Sequence, residues 1–179
     1  VVSFIGTLDP VKRPDLIIEL ARTLRNDNIH FLIIGEGPLR KQLQHEVQMS
    51  DLTNVTITGR VSENISLYYR ATDFTILPGR GGIVISESMC FSTPVIVYQA
   101  DGTERDLVVN DHTGVVLPSG DIDDFSKCIK ELSGDLDLCE RMGINAKQLI
   151  LSKMNTKNMA STVVQAVSPH VWKINGAFK

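Results

Sequence analysis

The chain has 179 residues, of which 42% are hydrophobic and 22% are charged, and its formal net charge is −3. These values are typical of one folded domain and exclude a largely disordered chain. No stripe of Lys and Arg marks a nucleic-acid-binding face, and the apolar runs are far too short to span a bilayer. Cys90, Cys128 and Cys139 lack C-x-x-C spacing, which disfavours a metal site or a disulfide framework and favours reduced cytosolic thiols.

Short apolar runs alternate with longer helical patterns along the chain. Strands are predicted near residues 1–5, 30–34, 55–58, 73–77, 94–98 and 114–117, and most are runs of Val, Ile and Leu typical of parallel strands buried on both faces. Helices are predicted between the strands at 13–25, 38–48, 62–71 and 83–92, and Ser62 is expected to cap the third of them. Three more helices are predicted after the last strand, at 121–132, 136–151 and 158–167. Pro169 is expected to end or kink the last one.

This alternation predicts an α/β fold, a Rossmann-like doubly wound parallel sheet of six strands. In the common strand order 3-2-1-4-5-6, ligands bind outside the carboxyl ends of the strands where the order reverses, between strands 1 and 4. The loops at residues 6–13 and 78–83 follow those two strands. We therefore expect both loops to border a ligand site.

The first loop, "GTLDPVKR", carries Gly6, which permits an unusual turn, and two cations, Lys12 and Arg13. Charge in this position favours a phosphate ligand, and the alternative is a pair of solvated basic residues before a helix. A second motif, "GEGPLR", departs from the dinucleotide fingerprint, because Arg40 replaces its third glycine and it follows the second strand. An NAD-type dehydrogenase is therefore disfavoured.

The second loop, "PGRGGIVISE", contains three glycines whose backbone N–H groups are not covered by side chains. The helix predicted from Ile83 directs its first N–H groups and the positive end of its dipole toward this loop, an arrangement that attracts a diphosphate. A flexible turn is the alternative, and Arg80 either clamps phosphate or points to water. Glu87 is suited to accept hydrogen bonds from both hydroxyls of a ribose, or else interacts with the helix N-terminus.

Six segments in this order resemble a known family: "GTLDPVKRPDLII", "FLIIGEGPLR", "VTITGRV", "ATDFTILP", "ISESMCFSTPVI" and "NDHTGVVLPSGD". Over about residues 2–165 the chain resembles the C-terminal domain of retaining GT-B glycosyltransferases of family 4, the glycosyl transferases group 1. That family has two Rossmann-like domains facing across a cleft. The C-terminal domain binds the nucleotide-sugar donor, and the N-terminal domain supplies most of the acceptor site.

The resemblance implies one half of a GT-B fold. We expect a nucleotide-sugar-binding domain at residues 1–165 and a C-terminal tail or helix at 166–179. The N-terminal acceptor domain is expected to be missing, which agrees with the abrupt apolar start "VVSFIG", and the isolated chain is expected to be inactive. The implied activity is retaining transfer from a UDP- or GDP-sugar to a saccharide or lipid-linked hydroxyl acceptor in polysaccharide or glycolipid biosynthesis. The expected location is the cytoplasm or the inner face of the cell membrane, with peripheral membrane association and no nucleic-acid partner.

The resemblance also implies roles for particular residues. Lys12 would contact the diphosphate, backbone N–H groups of Gly82, Ile83 and Val84 would face it, and Glu87 would bind the ribose. Lys12 and Glu87 are the catalytic candidates, and no metal or separate cofactor is expected. The full predicted binding set is Gly6, Thr7, Lys12, Arg13, Arg60, Arg80, Gly82, Ile83, Val84 and Glu87, with Arg60 part of a "GRV" stretch along the nucleobase. Glu104 matches a family glutamate whose role is left open.

Two departures from the family pattern stand out. Thr7 occupies the position of the usual arginine, and Gly79 that of the first glutamate of the E-x7-E motif, in a loop about two residues short. Diphosphate binding is therefore expected to depend on Lys12, Arg13 and Arg80, and sugar recognition to differ from the family pattern. Two alternatives stay open: a GT-B-type sugar-nucleotide epimerase and a non-catalytic nucleotide-sugar-binding domain.

Overall fold

The computed structural model describes residues 1–98 and 102–176, without the side chains of Thr103 and of residues 168–176. Its centre is a sheet of six parallel strands in the order β3-β2-β1-β4-β5-β6. The strands are β1 Val2–Ile5, β2 Phe31–Ile34, β3 Val55–Gly59, β4 Phe74–Leu77, β5 Val95–Tyr98 and β6 Gly114–Leu117. The Rossmann-like fold, the strand order and the six strand positions are confirmed.

Eight helices lie within the described residues. They are α1 Asp15–Thr23, α2 Arg40–Met49, α3 Ile65–Arg70, α4 Ile83–Cys90, α5 Thr103–Leu107, α6 Ile122–Ser133, α7 Leu136–Lys153 and α8 Thr156–Gly176. None of the helices in this described part is both long and apolar enough to cross a membrane.

Three details of the helix prediction are wrong. The short α5 was not predicted, because five residues carry no helical periodicity. Ser62 does not cap α3, since that helix begins after Asn64, which adopts a left-handed conformation (φ 58°). The last helix does not end at Pro169 but continues to Gly176.

The predicted domain boundary at residue 165 falls inside α8. Residues 177–179 lie outside the described part of the chain. The division into a domain and a C-terminal tail therefore stays a prediction.

Hydrophobic side chains are buried on both faces of the sheet. Phe4, Phe31 and Ile96 belong to one cluster, which also contains the apolar faces of α1 and α6. Val95 and Val97 belong to a second cluster, on the side of α4 and the later part of α7. Successive residues of β5 therefore enter different clusters, as the period of a strand requires. Burial on both sides explains the continuous apolar runs of the sequence.

The sheet opens where its strand order reverses. The ladder between β1 and β4 pairs only Val2 with Phe74 and Ser3 with Thr75. The buried hydroxyls of Ser3 and Thr75 are 3.0 Å apart and hydrogen bonded. Beyond this point the carboxyl halves of the two strands are unpaired with each other. Loops 6–13 and 78–83 leave the sheet on either side of this opening, as the topology predicts.

Candidate functional site

A cavity of about 460 Å³ lies at the carboxyl edge of the sheet, a volume typical of small-molecule sites. The ends of β1 and β2, the segment after β3 and helix α4 all contribute to its walls. Its lining includes four residues of the predicted set, which are Gly6, Thr7, Arg60 and Glu87. Strands that are neighbours in the sheet but not in the sequence bring these residues together.

Lys12 joins the two loops. Its Nζ donates hydrogen bonds to the carbonyl oxygens of Arg80, at 2.5 Å, and Gly81, at 2.6 Å. The backbones of the two loops also approach closely at Gly79, where a Cβ atom would lie 2.2 Å from the carbonyl oxygen of Val11. Because an ammonium group has three N–H donors, Lys12 keeps one donor for a further partner.

The start of α4 presents unpaired backbone N–H groups beside Lys12. Gly82, the residue before the helix, has φ 97° and ψ −150°, a conformation that residues with a Cβ atom rarely adopt. Among the described residues, no hydrogen bond uses the N–H groups of Gly82, Ile83 or Val84. A Cβ atom built on Gly82 would lie 3.9 Å from Lys12 Nζ. One ammonium and three free amides thus lie at the same end of a helix, where the helix dipole also favours an anion.

Glu104 holds Gly81, the residue before Gly82, in place. Its side chain is fully buried, and its two carboxylate oxygens accept hydrogen bonds from the backbone N–H groups of Gly81, at 3.2 Å, and Gly102, at 3.1 Å. A buried carboxylate needs such donors to offset its desolvation. The N–H of Gly81 is therefore used within the protein, whereas the N–H of the next residue, Gly82, remains available to a ligand.

Glu87 is half-buried at the wall of the cavity. Its Oε2 accepts a hydrogen bond of 3.2 Å from the hydroxyl of Tyr69, which lies on α3. Burial is the larger cause that raises the pKa of Tyr69, and the nearby charge of Glu87 is the second. The phenol therefore remains a protonated donor. Glu87 is the fifth residue of α4. Since the dipole effect is concentrated in the first turn, this position weakens the helix-terminus interpretation of Glu87.

The remaining predicted residues occupy varied positions. Arg13 has φ 52° and donates from its guanidinium to the carbonyl oxygen of Gly120, at 3.1 Å, so part of its hydrogen-bonding capacity serves the loop after β6. Arg80 is exposed, and its side chain makes no hydrogen bond or ion pair with the described residues. The side chain of Ile83 is exposed at the site, whereas that of Val84 packs against the core.

The sequence analysis missed several residues that shape the cavity. Glu36 and Ile65 line it, and Tyr69 holds Glu87. Glu36 was open to prediction, because the order 3-2-1-4-5-6 places the end of β2 next to the end of β1. The role of Tyr69 was not, since it depends on how α3 packs against α4. Within the described ranges, no group of three or more His, Cys, Asp or Glu side chains is arranged to hold a metal ion.

Comparison with known proteins agrees with this fold. Residues 1–149 match the family described as Glycosyl transferases group 1. The chain therefore belongs to that family. It is 31% identical to the alpha-D-kanosaminyltransferase of Streptomyces kanamyceticus over 160 residues, which are 86% of this chain and 41% of that enzyme. The chain spans about two fifths of the length of the curated relatives that it matches first.

Two solved structures show the same architecture. A TarM variant from S. aureus, in complex with Fondaparinux, alpha-GlcNAc-glycerol and UDP, gives a TM-score of 0.84 at 22% identity, over 92% of this chain and 34% of that one. The C-terminal domain of the glycosyl transferase group 1 family protein LpcC from Francisella tularensis gives a TM-score of 0.75 at 21% identity, over 87% and 86% of the two chains. The six-stranded fold is thus that of a Rossmann-like domain of GT-B glycosyltransferases.

Proposed function

We propose that this chain is the donor-binding domain of a retaining glycosyltransferase and that the crevice between β1 and β4 binds a UDP- or GDP-sugar. One observation carries the proposal: the Lys12 ammonium lies beside the unpaired amides at the start of α4. A diphosphate is the part of a nucleotide sugar that matches this arrangement. UDP in the complex of the related fold supports the uridine nucleotide as the first ligand to test.

The diphosphate lies against Gly82, Ile83 and Val84 in this proposal. Lys12 keeps its bonds to the loop carbonyls and gives its third N–H to a phosphate oxygen. Because the loop is already held in position, little ordering is required when the ligand binds. The exposed guanidinium of Arg80 adds positive charge, and Arg13 supports the first loop through Gly120.

The nucleoside occupies the cavity between the phosphate site and α3. The carboxylate of Glu87 accepts hydrogen bonds from the ribose hydroxyls. Gly6 and Thr7 border the same cavity, as does Arg60 on the side where the base would lie. In this proposal, the phosphate, the ribose and the base follow a single path from α4 to the end of β3.

The reaction that we propose breaks the bond between the anomeric carbon and the diphosphate and transfers the sugar to an acceptor hydroxyl with retention. Negative charge grows on the departing phosphate oxygen as the sugar gains oxocarbenium character. Fixed donors stabilise that charge more in the transition state than in the ground state, by about 3 kcal/mol for each donor. Lys12 and the amides at the start of α4 are suited to this role.

The rest of the enzyme lies outside this chain in our proposal. A second Rossmann-like domain supplies most of the acceptor site for a saccharide or lipid-linked acceptor, and residues 1–165 form the donor domain. Support comes from the relatives, of which this chain spans about two fifths. The whole enzyme would act in the cytoplasm or at the inner face of the cell membrane, and this chain alone would not transfer sugar.

Replacing Lys12 by alanine tests the phosphate site. We expect Lys12→Ala to weaken UDP binding by about 10- to 100-fold, because a hydrogen bond to a charged group is lost. Binding of uridine, which has no phosphate, should change less than about twofold. Titration calorimetry measures both affinities, and Lys147→Ala, an exposed lysine on α7, is the matched control. An equal loss for UDP and uridine would reject a phosphate role for Lys12.

A further inference from the structure

We propose that Tyr69 is a positioning residue that orients Glu87 toward the ribose of the donor. Its hydroxyl holds Oε2 of Glu87, and this contact leaves Oε1 without a hydrogen-bond partner among the described residues. The inference rests on the proposed function of the cavity and adds a residue from a different helix to its machinery. Tyr69 belongs to α3, whereas Glu87 belongs to α4.

The ring of Tyr69 is fixed from two directions. It is 1% exposed and is stacked on Phe91 with a centroid separation of 4.9 Å and an interplanar angle of 10°. Its backbone carbonyl accepts a hydrogen bond of 3.3 Å from the Thr93 hydroxyl. Because both the ring and the backbone are anchored, the hydroxyl occupies a fixed position relative to α4.

Glu87 by itself lacks such restraint. A glutamate has three side-chain torsions, and a half-buried one at a cavity wall can adopt several rotamers. Freezing these rotamers on ligand binding costs free energy. A hydrogen bond from a fixed hydroxyl restricts the carboxylate before the ligand arrives and leaves the other oxygen free to accept. The arrangement therefore favours a ligand with adjacent hydroxyl groups beside Oε1.

The decisive variant is Tyr69→Phe, which removes one oxygen and keeps the ring stacked on Phe91. Titration calorimetry on the 179-residue chain would measure the affinities for UDP and for 2′-deoxy-UDP. We expect Tyr69→Phe to weaken UDP binding by about fivefold to tenfold, because the carboxylate of Glu87 must then be ordered when the ligand binds. Binding of 2′-deoxy-UDP should fall by less, so the preference for the ribonucleotide decreases.

Two further variants separate positioning from packing. Phe91→Leu removes the stacking partner and keeps the hydroxyl, so it should lower the melting temperature and reduce the preference for UDP by less than Tyr69→Phe does. Glu87→Gln should remove most of that preference. In the double variant, the effect of Tyr69→Phe on UDP should shrink to less than about twofold, because coupled residues are not additive.

The outcomes distinguish this inference from the proposed function. If Glu87→Gln weakens UDP binding and Tyr69→Phe does not, the nucleotide site stands and the positioning role is rejected. Additive effects of the two substitutions would also reject it, since Tyr69 would then act independently of Glu87. If Glu87→Gln leaves UDP affinity unchanged, or the wild-type chain binds neither UDP nor GDP, the ribose assignment fails and the role of Tyr69 fails with it.

Discussion

Several buried polar groups of this protein are satisfied by hydroxyl and backbone donors. Glu104 accepts from two backbone N–H groups, and the hydroxyls of Ser3 and Ser88 both bond Thr75. Such bonds are short-range and directional, so they hold loops and helices in one arrangement. Lys12 and Glu87 were predicted as site residues from their charge and their position along the chain. The sequence did not reveal the donors around Glu104, because those partners meet only after folding.

The two buried thiols predict how stability depends on pH. Burial is the main cause that raises the pKa of Cys128 from 9.0 to about 12 and that of Cys139 from 9.0 to about 11. The unfolded chain therefore loses these protons at lower pH than the folded chain. The free energy of unfolding is unaffected by the thiols well below pH 9.0 and decreases above it, by about 1.4 kcal/mol per pH unit for each thiol.

Urea unfolding at pH 8 and pH 10 checks this expectation. Cys128→Ala combined with Cys139→Ala should reduce the loss of stability over this range by about 2 to 3 kcal/mol. The range ends at the ordinary pKa of tyrosine, 10.0, which keeps the contribution of Tyr69 small. Cys90→Ala, at an exposed position, is the control and should behave as the wild type. Equal losses in the wild type and the double variant would show that the buried thiols do not govern this response.

The helices and strands were predictable where their apolar patterns were long. All six strands and the long helices follow from runs of Val, Ile and Leu and from stripes such as that of α1. The short α5 and the exact start of α3 were not predictable, because both depend on local loop conformation. The glycine loop was predicted to bind an anion from its glycines and from the helix that follows it, and that role stays a prediction. The steric need for glycine at position 79 became apparent only from the close approach of the two loops in the structure.

Gly79→Ala tests this contact between loops. A Cβ atom at Gly79 would lie 2.2 Å from the carbonyl oxygen of Val11, so the loops must separate. We expect a loss of about 1 to 3 kcal/mol in the free energy of unfolding, together with weaker UDP binding, since the separation displaces Lys12 from the loop carbonyls. Gly134→Ala is the control, because its Cβ atom would meet nothing closer than 3.5 Å. Equal stability of the two variants in urea unfolding would contradict the close approach.

At the scale of the whole molecule, topology determines where the site can form. The parallel strands place every carboxyl end at one edge, and the order β3-β2-β1-β4-β5-β6 reverses between β1 and β4. This rule allowed the two loops to be paired from sequence, although Lys12 and Gly81 are 69 residues apart. The bonds of Lys12 to two loop carbonyls were beyond prediction, because side-chain partners depend on the final backbone path.

Backbone amide NMR of the ¹⁵N-labelled chain during titration with UDP tests the central claim most directly. We expect the largest shift changes at Gly82, Ile83 and Val84, accompanied by changes at Gly6 and Thr7, because these amides border the proposed diphosphate and nucleoside positions. Changes concentrated at the opposite edge of the sheet, around Asn28 and Thr53, with the amides at the start of α4 unaffected, would contradict a nucleotide diphosphate site between β1 and β4.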